Sequence, residues 1–231
     1  MDTDKKTARI VGVLFLTAMV TSLLGGGILE TMLSAPGYLI NIYPDKTQVI
    51  IGVLLELVNS IAVVGIAVLM FAIFKKGYEA LALGYISFRV LEATVCILAV
   101  IGPLSLIKLS QKYLEAGAPG ASHFQTLGDL VIATRANLTG LILVIFFSLS
   151  ALIFYYILYQ SKLVPRFISV WGFIAAILVL SWNVLETFDI RAGIILALPI
   201  ILNEIFLGIW LIVKGFNPSA IVSASAKADI N

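Results

Sequence analysis

Long apolar runs, separated by short polar segments, dominate the chain. Crossing the hydrocarbon core of a bilayer takes about 20 residues of α-helix, and six runs reach that length. The bilayer core offers the backbone no water as a hydrogen-bond partner, so a regular helix is the expected form of each run. The pattern predicts an all-α polytopic membrane protein, with a six-transmembrane-helix bundle as a single domain at residues 1–215. The predicted helices cover approximately residues 10–30, 49–74, 80–107, 137–159, 166–187 and 193–213.

The connections and the basic residues predict an orientation. The two longer connections, at 31–48 and 108–136, fall on one side of the membrane, and residues 216–231 form a short flexible tail. Cytoplasmic loops carry an excess of Lys and Arg, so the richer side is assigned inside, and both termini are then cytoplasmic. The inner set is Lys5, Lys6, Arg9, Lys75, Lys76, Lys162, Arg166, Lys214 and Lys227, and the outer set is Lys46, Lys108, Lys112, Arg135 and Arg191.

The amino-acid composition restricts the class of protein and the kinds of ligand further. Hydrophobic residues make up 61% of the chain, charged residues only 12%, and the mean hydropathy is +1.08. Soluble domains carry about 25% charged residues, so this surface must face lipid. The net charge of +2 and the absence of long basic runs argue against nucleic acid as a partner. The single cysteine, Cys96, and the single histidine, His123, leave no pattern for a metal site, and no cofactor is predicted.

The stretch FRVLEATV, residues 88–95, places Arg89 and Glu92 within the third apolar run. Inserting two such charges costs roughly 5 to 7 kcal/mol, about as much as the apolar residues of that helix return. The helix therefore depends on partners. One of its faces, formed by Tyr85, Arg89, Glu92, Cys96 and Ala99, is expected to point into the bundle.

Other predicted helices bring matching polar positions. Glu56 and Asn59 follow Gly52 on one face of the second helix, and Asn203 with Glu204 lies near mid-depth in the sixth. Because these polar residues lie mainly in the outer half of the predicted bundle, the sequence predicts a buried polar site there, with Arg89 at its centre. The candidate binding residues are Arg89, Glu92, Glu56, Asn59, Glu204, Asn203, Asn183, Glu186, Arg135 and Asn137.

Each candidate also has a structural interpretation. On this interpretation, Arg89 and Glu92 form an ion pair that only fixes the helix register. Glu186 and Arg135 lie near the predicted interface, where solvation is expected. Asn59, Asn183 and Asn203 resemble interhelical hydrogen-bond donors. Charge counting adds one prediction. Three deep carboxyls, on Glu56, Glu92 and Glu204, face one deep cation, so at least one carboxyl is neutral or bound to a further cation.

Several segments resemble a known family. They are ARIVGVLFL at 8–16, FRVLEA at 88–93, the phenylalanine-rich run from 145 to 172 and PIILNEIFLGIWLIVKGF at 199–216. Together they resemble the prokaryotic membrane-protein family catalogued as domain of unknown function 4386. The resemblance implies a six-helix protein of the prokaryotic cytoplasmic, or inner, membrane and no particular activity. Where that family often has FFGLH, this chain reads FFSLS, with Ser150 at the histidine position.

Three classes of function stay open on the sequence alone. The favoured class is a membrane protein that binds a small molecule or a lipid in the polar site and, in one version, transports or senses it. A transporter of this size is expected to need a homodimer. The second class is an intramembrane enzyme with glutamate acid–base chemistry, which ranks lower because no nucleophile is evident. The third is a structural or partner-binding protein whose buried charges fix packing.

Overall fold

The computed structural model describes residues 2–118, 120, 123–190 and 193–220. That part of the chain is helical and contains no strand. A π-helical turn, Asn137–Ile142, joins α5 to α6, and a short 3-10 turn, Ile194–Ala197, leads into α8. The α-helices are α1 Asp2–Ser34, α2 Tyr38–Asn41, α3 Lys46–Ala99, α4 Ile101–Glu115, α5 His123–Ala136, α6 Leu143–Ser161, α7 Arg166–Thr187 and α8 Leu198–Val213.

Five helical stretches in the described residues are long and apolar enough to cross a membrane. One of them, Lys46–Glu115, has 70 residues and would measure about 105 Å if straight, against a hydrocarbon core of about 30 Å. It is not straight. The backbone leaves helical geometry at Tyr78 (φ −145°, ψ 50°), inside the predicted connection KKGYE. The Cys96 thiol lies 3.8 Å from the Glu56 carbonyl oxygen, so segments 46–77 and 79–99 form an antiparallel hairpin.

Glycines let α1 pack closely against two other helices. Near its start, a Cβ on Gly12 would lie 2.5 Å from the carbonyl oxygen of Gly208 in α8. Nearer its end, a Cβ on Gly25 would lie 3.0 Å from the carbonyl oxygen of Gly52 in α3. Small residues permit this backbone approach between membrane helices. The run Gly25 to Gly27 lies within the continuous helix α1, and Gly25 makes one of these close contacts.

The hydrophobic core is divided between the two halves of the bundle. The larger cluster contains a group of aromatic rings, with the Tyr85 and Phe154 centroids 5.3 Å apart and Phe15 5.7 Å from Phe154. The smaller cluster joins the end of α1 to α3 and α4 and includes Leu29, Val53 and Leu106. Large apolar side chains also cover the outside of the helices, Ile61 with 72% exposure among them. This distribution is expected of helices that face lipid.

The long connections predicted at 31–48 and 108–136 are instead largely helical. Helix α4 continues the apolar pattern to Glu115, α5 begins at His123, and α2 packs across them. The Ser110 hydroxyl donates to the Leu39 carbonyl oxygen (2.6 Å). Tyr38 donates to Asp129 (2.8 Å), and burial together with this carboxylate raises the pKa of Tyr38, so the phenol stays protonated at neutral pH. The loop prediction was wrong because buried positions such as Ser110 and Tyr113 continue the inward face of the helix past residue 107.

Four chain segments meet at the opposite end of the bundle. A small cavity there is lined by the start of α1, the bend of α3, the end of α6 and residue Ala220. Seven of the nine basic residues predicted to be cytoplasmic belong to these segments or to the neighbouring end of α8, and Arg166 lies at the start of α7. Lys227 and the outer-set Arg191 lie outside the described residues. The predicted tail begins as an ordered segment, because Phe216 is buried and the Asn217 amide donates to the Leu163 carbonyl oxygen (2.8 Å). Residues 221–231 lie outside the described part.

Candidate functional site

Arg89 and Glu92 form a closed pair on one helix. The Nη1 atom of Arg89 lies 3.2 Å and 3.1 Å from the two carboxylate oxygens of Glu92, one turn further along α3. Both side chains are buried, as the predicted inward face requires. The rings of Tyr85 and Phe147 stack against the guanidinium at 5.7 Å and 5.4 Å. The pair is therefore enclosed by protein, with aromatic faces covering its cation.

A second buried pair joins two elements that are far apart in sequence. Arg135 of α5 binds Glu56 of α3 in a bidentate arrangement, with Nη1–Oε2 at 3.1 Å and Nη2–Oε1 at 2.5 Å. The same guanidinium donates to the Ala99 carbonyl oxygen at the end of α3 (3.0 Å). Planar, forked hydrogen bonding of this kind is the geometry that favours Arg over Lys. The sequence did not predict this pairing. It placed Glu56 in the polar site around Arg89, whereas the ion-pair partner of Glu56 is Arg135.

Arg135 reaches Glu56 because its helix begins earlier than the sequence predicted. The fourth apolar run was expected to start at 137, which placed Arg135 at the interface. In the structure a helical stretch runs from His123 through Ser161, so Arg135 is an internal position of a 39-residue stretch. The side chain of Arg135 retains only 11% exposure. The count of one deep cation was therefore wrong.

The turn that follows Arg135 is π-helical and is held from α7. Six residues, Asn137–Ile142, adopt the wider π geometry. Asn183 donates its side-chain amide to the Gly140 carbonyl oxygen within this turn. The Thr139 hydroxyl donates to the Arg135 carbonyl oxygen (3.0 Å). Single π-helical turns inside α-helices recur at functional sites, and this one lies directly after the arginine of the interhelical pair.

The Glu56–Arg135 pair faces a cavity of about 330 Å³ between α1, the α3 hairpin and the α5–α6 stretch. We call it the outer cavity. Its walls combine the ion pair with an amide, a carboxylate, hydroxyls, the Cys96 thiol and apolar side chains. The lining residues are Ser22, Gly26, Glu30, Leu33, Ser34, Glu56, Asn59, Cys96, Ile132, Arg135, Ala136, Thr139 and Leu143.

The structure brings together only part of the predicted site. Glu56, Asn59 and Arg135 line the outer cavity, whereas Arg89 and Glu92 do not. Asn137, at the start of the π turn, is exposed. Glu186 is also exposed and accepts a hydrogen bond from the indole of Trp182 (2.7 Å).

The remaining predicted residues lie elsewhere in the bundle. Asn203 is fully buried and donates to the Ile168 carbonyl oxygen (3.0 Å), so it connects α8 to α7 as Asn183 connects α7 to the π turn. Glu204 is half-buried and lies within electrostatic range of Arg89 and Tyr155. Among the described residues no hydrogen-bond partner is found for its carboxylate. With Glu92 and Glu56 each paired to an arginine, the prediction of a neutral or additionally bound carboxyl now concerns Glu204 alone.

Sequence reasoning missed the contribution of α1 to the cavity. Ser22, Gly26 and Glu30 follow one another at steps of four, and Leu33 and Ser34 continue the same face. This stripe is readable in the sequence as a polar face in an apolar helix. It was overlooked because Glu30 was treated as a residue of the helix end, although the helix continues one turn further, to Ser34.

These features define a class: a helical protein whose long apolar helices fit an integral membrane protein and whose interior holds paired charges. The model of the family described as Domain of unknown function (DUF4386) matches residues 10–215, and the chain belongs to that family. This confirms the family suggested by the sequence. No curated protein and no solved structure matches the chain.

Proposed function

We propose that this protein is an integral membrane protein that binds a small molecule or a lipid headgroup in the outer cavity. The observation that carries the proposal is the bidentate Glu56–Arg135 pair, which is held between helices and lines an open volume of about 330 Å³. Small-molecule sites fall in the range of roughly 300 to 1,000 Å³ and combine apolar walls with a few polar groups. The outer cavity has both properties.

The charge of the cavity supports a ligand with a polar or cationic group. Glu56 and Arg135 neutralise one another, whereas Glu30 lines the cavity as an exposed carboxylate without an ion-pair partner in the described residues. Leu33, Ile132 and Leu143 supply apolar wall. A molecule with a polar group near the two acids and an apolar body against this wall would match the lining.

The proposal includes a six-span topology in a prokaryotic cytoplasmic membrane with both termini inside. Splitting the 70-residue stretch at Tyr78 turns five candidate helices into six crossings of suitable length. The gathering of Lys76, Lys162 and Lys214 at one end of the bundle, with the start of α1, supports the orientation. The outer cavity then opens toward the extracytoplasmic half. The homodimer, which was predicted from the small size of one protomer, stays a prediction.

The structural alternative fits one of the two ion pairs. Arg89 and Glu92 are enclosed by Tyr85 and Phe147 and line no cavity described above, as expected of a pair that fixes packing. The enzymatic alternative has less support, because the Thr139 hydroxyl in the cavity wall donates to the Arg135 carbonyl oxygen and not to a carboxylate that could activate it as a nucleophile.

The test uses the glycines of α1. Gly26 lines the outer cavity and Gly27 does not, and a Cβ at either position meets no atom within 4 Å. Gly26→Phe should fill the cavity, while Gly27→Phe adds the same side chain outside it. Native mass spectrometry of gently purified wild type should show a reproducible bound molecule that Gly26→Phe loses and Gly27→Phe keeps.

The only cysteine of the chain provides a second readout. Cys96 lines the outer cavity, so its rate of modification by a small water-soluble thiol reagent reports access to that space. Gly26→Phe should slow the reaction relative to Gly27→Phe. Equal retention of the bound molecule and equal Cys96 reaction rates in the two variants would refute binding in this cavity.

A further inference from the structure

A second cavity, of about 510 Å³, lies at the end of the bundle opposite the outer cavity. We call it the basic cavity. It is formed where the α6–α7 connection meets the end of α8, with Lys162 and Arg166 on one side and Trp210 and Lys214 on the other. None of these residues lines the outer cavity.

The walls of the basic cavity are tied together by hydrogen bonds. Asn217, after α8, donates its backbone amide to the Leu163 carbonyl oxygen (2.8 Å) and its side-chain amide to the Lys162 carbonyl oxygen (3.3 Å). Lys162 ends α6 in the left-handed conformation (φ 56°), and Phe216 is buried beside it. The cavity is therefore a built feature of the chain, held between two connected segments.

The charge of this cavity is entirely positive. Lys162, Arg166 and Lys214 line it without an acidic residue, and none of them lies within 4 Å of a carboxylate in the part of the chain described. All three side chains are exposed. Helix α7 begins at Arg166 and has 22 residues, so its positive dipole end adds to the field at the same place.

The rest of the lining is apolar and aromatic. Leu163, Val164 and Phe216 are buried, and Trp210 is half-buried at the end of α8. The Arg166 guanidinium stacks 4.9 Å over the ring of Tyr159. Tryptophan and tyrosine beside basic residues are typical of the level at which lipid headgroups lie. An apolar lining of this kind suits a lipid better than a free, fully hydrated phosphate.

We propose that the basic cavity binds the phosphate-bearing headgroup of an anionic phospholipid. Lys162, Arg166 and Lys214 supply the positive charge, and Trp210 contacts the region between headgroup and acyl chain. Basic pockets between membrane helices on the cytoplasmic side are suited to such headgroups, because that leaflet surface is negatively charged. This site is separate from the outer cavity; it rests on the topology proposed above, but not on ligand binding in the outer cavity.

The test compares lipid retention by the full-length protein. The purified protein is mixed with equal amounts of phosphatidylglycerol and phosphatidylcholine, and native mass spectrometry measures the ratio of the two lipids retained. Wild type should favour phosphatidylglycerol. Lys162→Asn combined with Lys214→Gln removes two charges, and asparagine tolerates the left-handed backbone at 162. We expect the retained ratio to fall roughly 10- to 30-fold.

The matched control removes two charges from the same end of the molecule. Lys5→Gln with Lys6→Gln changes exposed residues of α1 that do not line the basic cavity. This variant should keep the phosphatidylglycerol preference within about twofold, and the single Lys214→Gln variant should show a reduced version of the cavity effect. Equal losses in the cavity and control variants, or an unchanged ratio in folded Lys214→Gln, would overturn the proposal. Full displacement of phosphatidylglycerol by excess inorganic phosphate would overturn the assignment to a lipid.

Discussion

The Arg89–Glu92 and Arg135–Glu56 pairs contain the same chemical groups in different surroundings. The first is one turn of a single helix, closed off by two aromatic rings. The second connects residues 79 positions apart, is bidentate, and lines a cavity of about 330 Å³. A buried arginine in an apolar helix is therefore no guide to function by itself. What distinguishes them is whether open volume and further polar groups lie beside the pair.

The sequence suggested Arg89 and Glu92 as the centre of a binding site, but it is the Glu56–Arg135 pair that lines the cavity. An Arg and a Glu three residues apart in an apolar run are conspicuous, and local spacing identifies them as a pair on one face. The more exposed pair depends on the folding back of α3 at Tyr78 and on the early start of α5 at His123. Neither event is encoded in the spacing between Glu56 and Arg135.

The largest expected effect is the loss of one member of the enclosed pair. Arg89→Leu leaves the buried Glu92 carboxylate without its cation, which should lower the free energy of unfolding by roughly 3 to 5 kcal/mol. The double variant Arg89→Leu with Glu92→Leu should recover most of that loss, since two apolar side chains can pack against Phe147. Denaturant unfolding in micelles measures both. A double variant as unstable as the single one would show that the pair does more than fix packing.

A smaller loss of stability is expected at the pair that faces the outer cavity. Arg135→Gln leaves Glu56 next to open volume that water can enter, and the glutamine amide can still donate to the Ala99 carbonyl oxygen. The free energy of unfolding should fall by roughly 1 to 3 kcal/mol, less than for Arg89→Leu in the same assay. An equal or larger loss would mean that the surroundings of Glu56 are as dry as those of Glu92.

The smallest effect should separate the two asparagines. Asn183 and Asn203 each donate one interhelical hydrogen bond, but only Asn183 holds the π turn beside Arg135. Replacing either by Leu should cost about 0.6 to 1.7 kcal/mol of stability. Asn183→Leu should in addition weaken retention of the bound molecule by about threefold, while Asn203→Leu leaves it unchanged. A titration of retained ligand checks this, and identical affinities would remove the π turn from the site.

The sequence was sufficient for the helical class, the family and the inward face of Arg89, because apolar run length and helical period express them directly. Exposure of apolar side chains to lipid keeps that signal strong along the whole chain. It was insufficient for the end of α4 and for α5, where polar residues interrupt the apolar run although positions such as Tyr113 remain buried. It was also insufficient for the partner of Glu56, because pairing between distant segments depends on where helices bend and end.

We expect the molecule proposed to occupy the outer cavity to lie at the Glu56–Arg135 pair and not at the Arg89–Glu92 pair. Two charge-free double variants test it: Glu56→Gln with Arg135→Gln, and Arg89→Leu with Glu92→Leu. Native mass spectrometry of both proteins, after each is shown to be folded, compares the molecule retained from the membrane. The first variant should lose it and the second should keep it. Loss in the Arg89–Glu92 variant with retention in the Glu56–Arg135 variant would show that the molecule does not bind in the outer cavity.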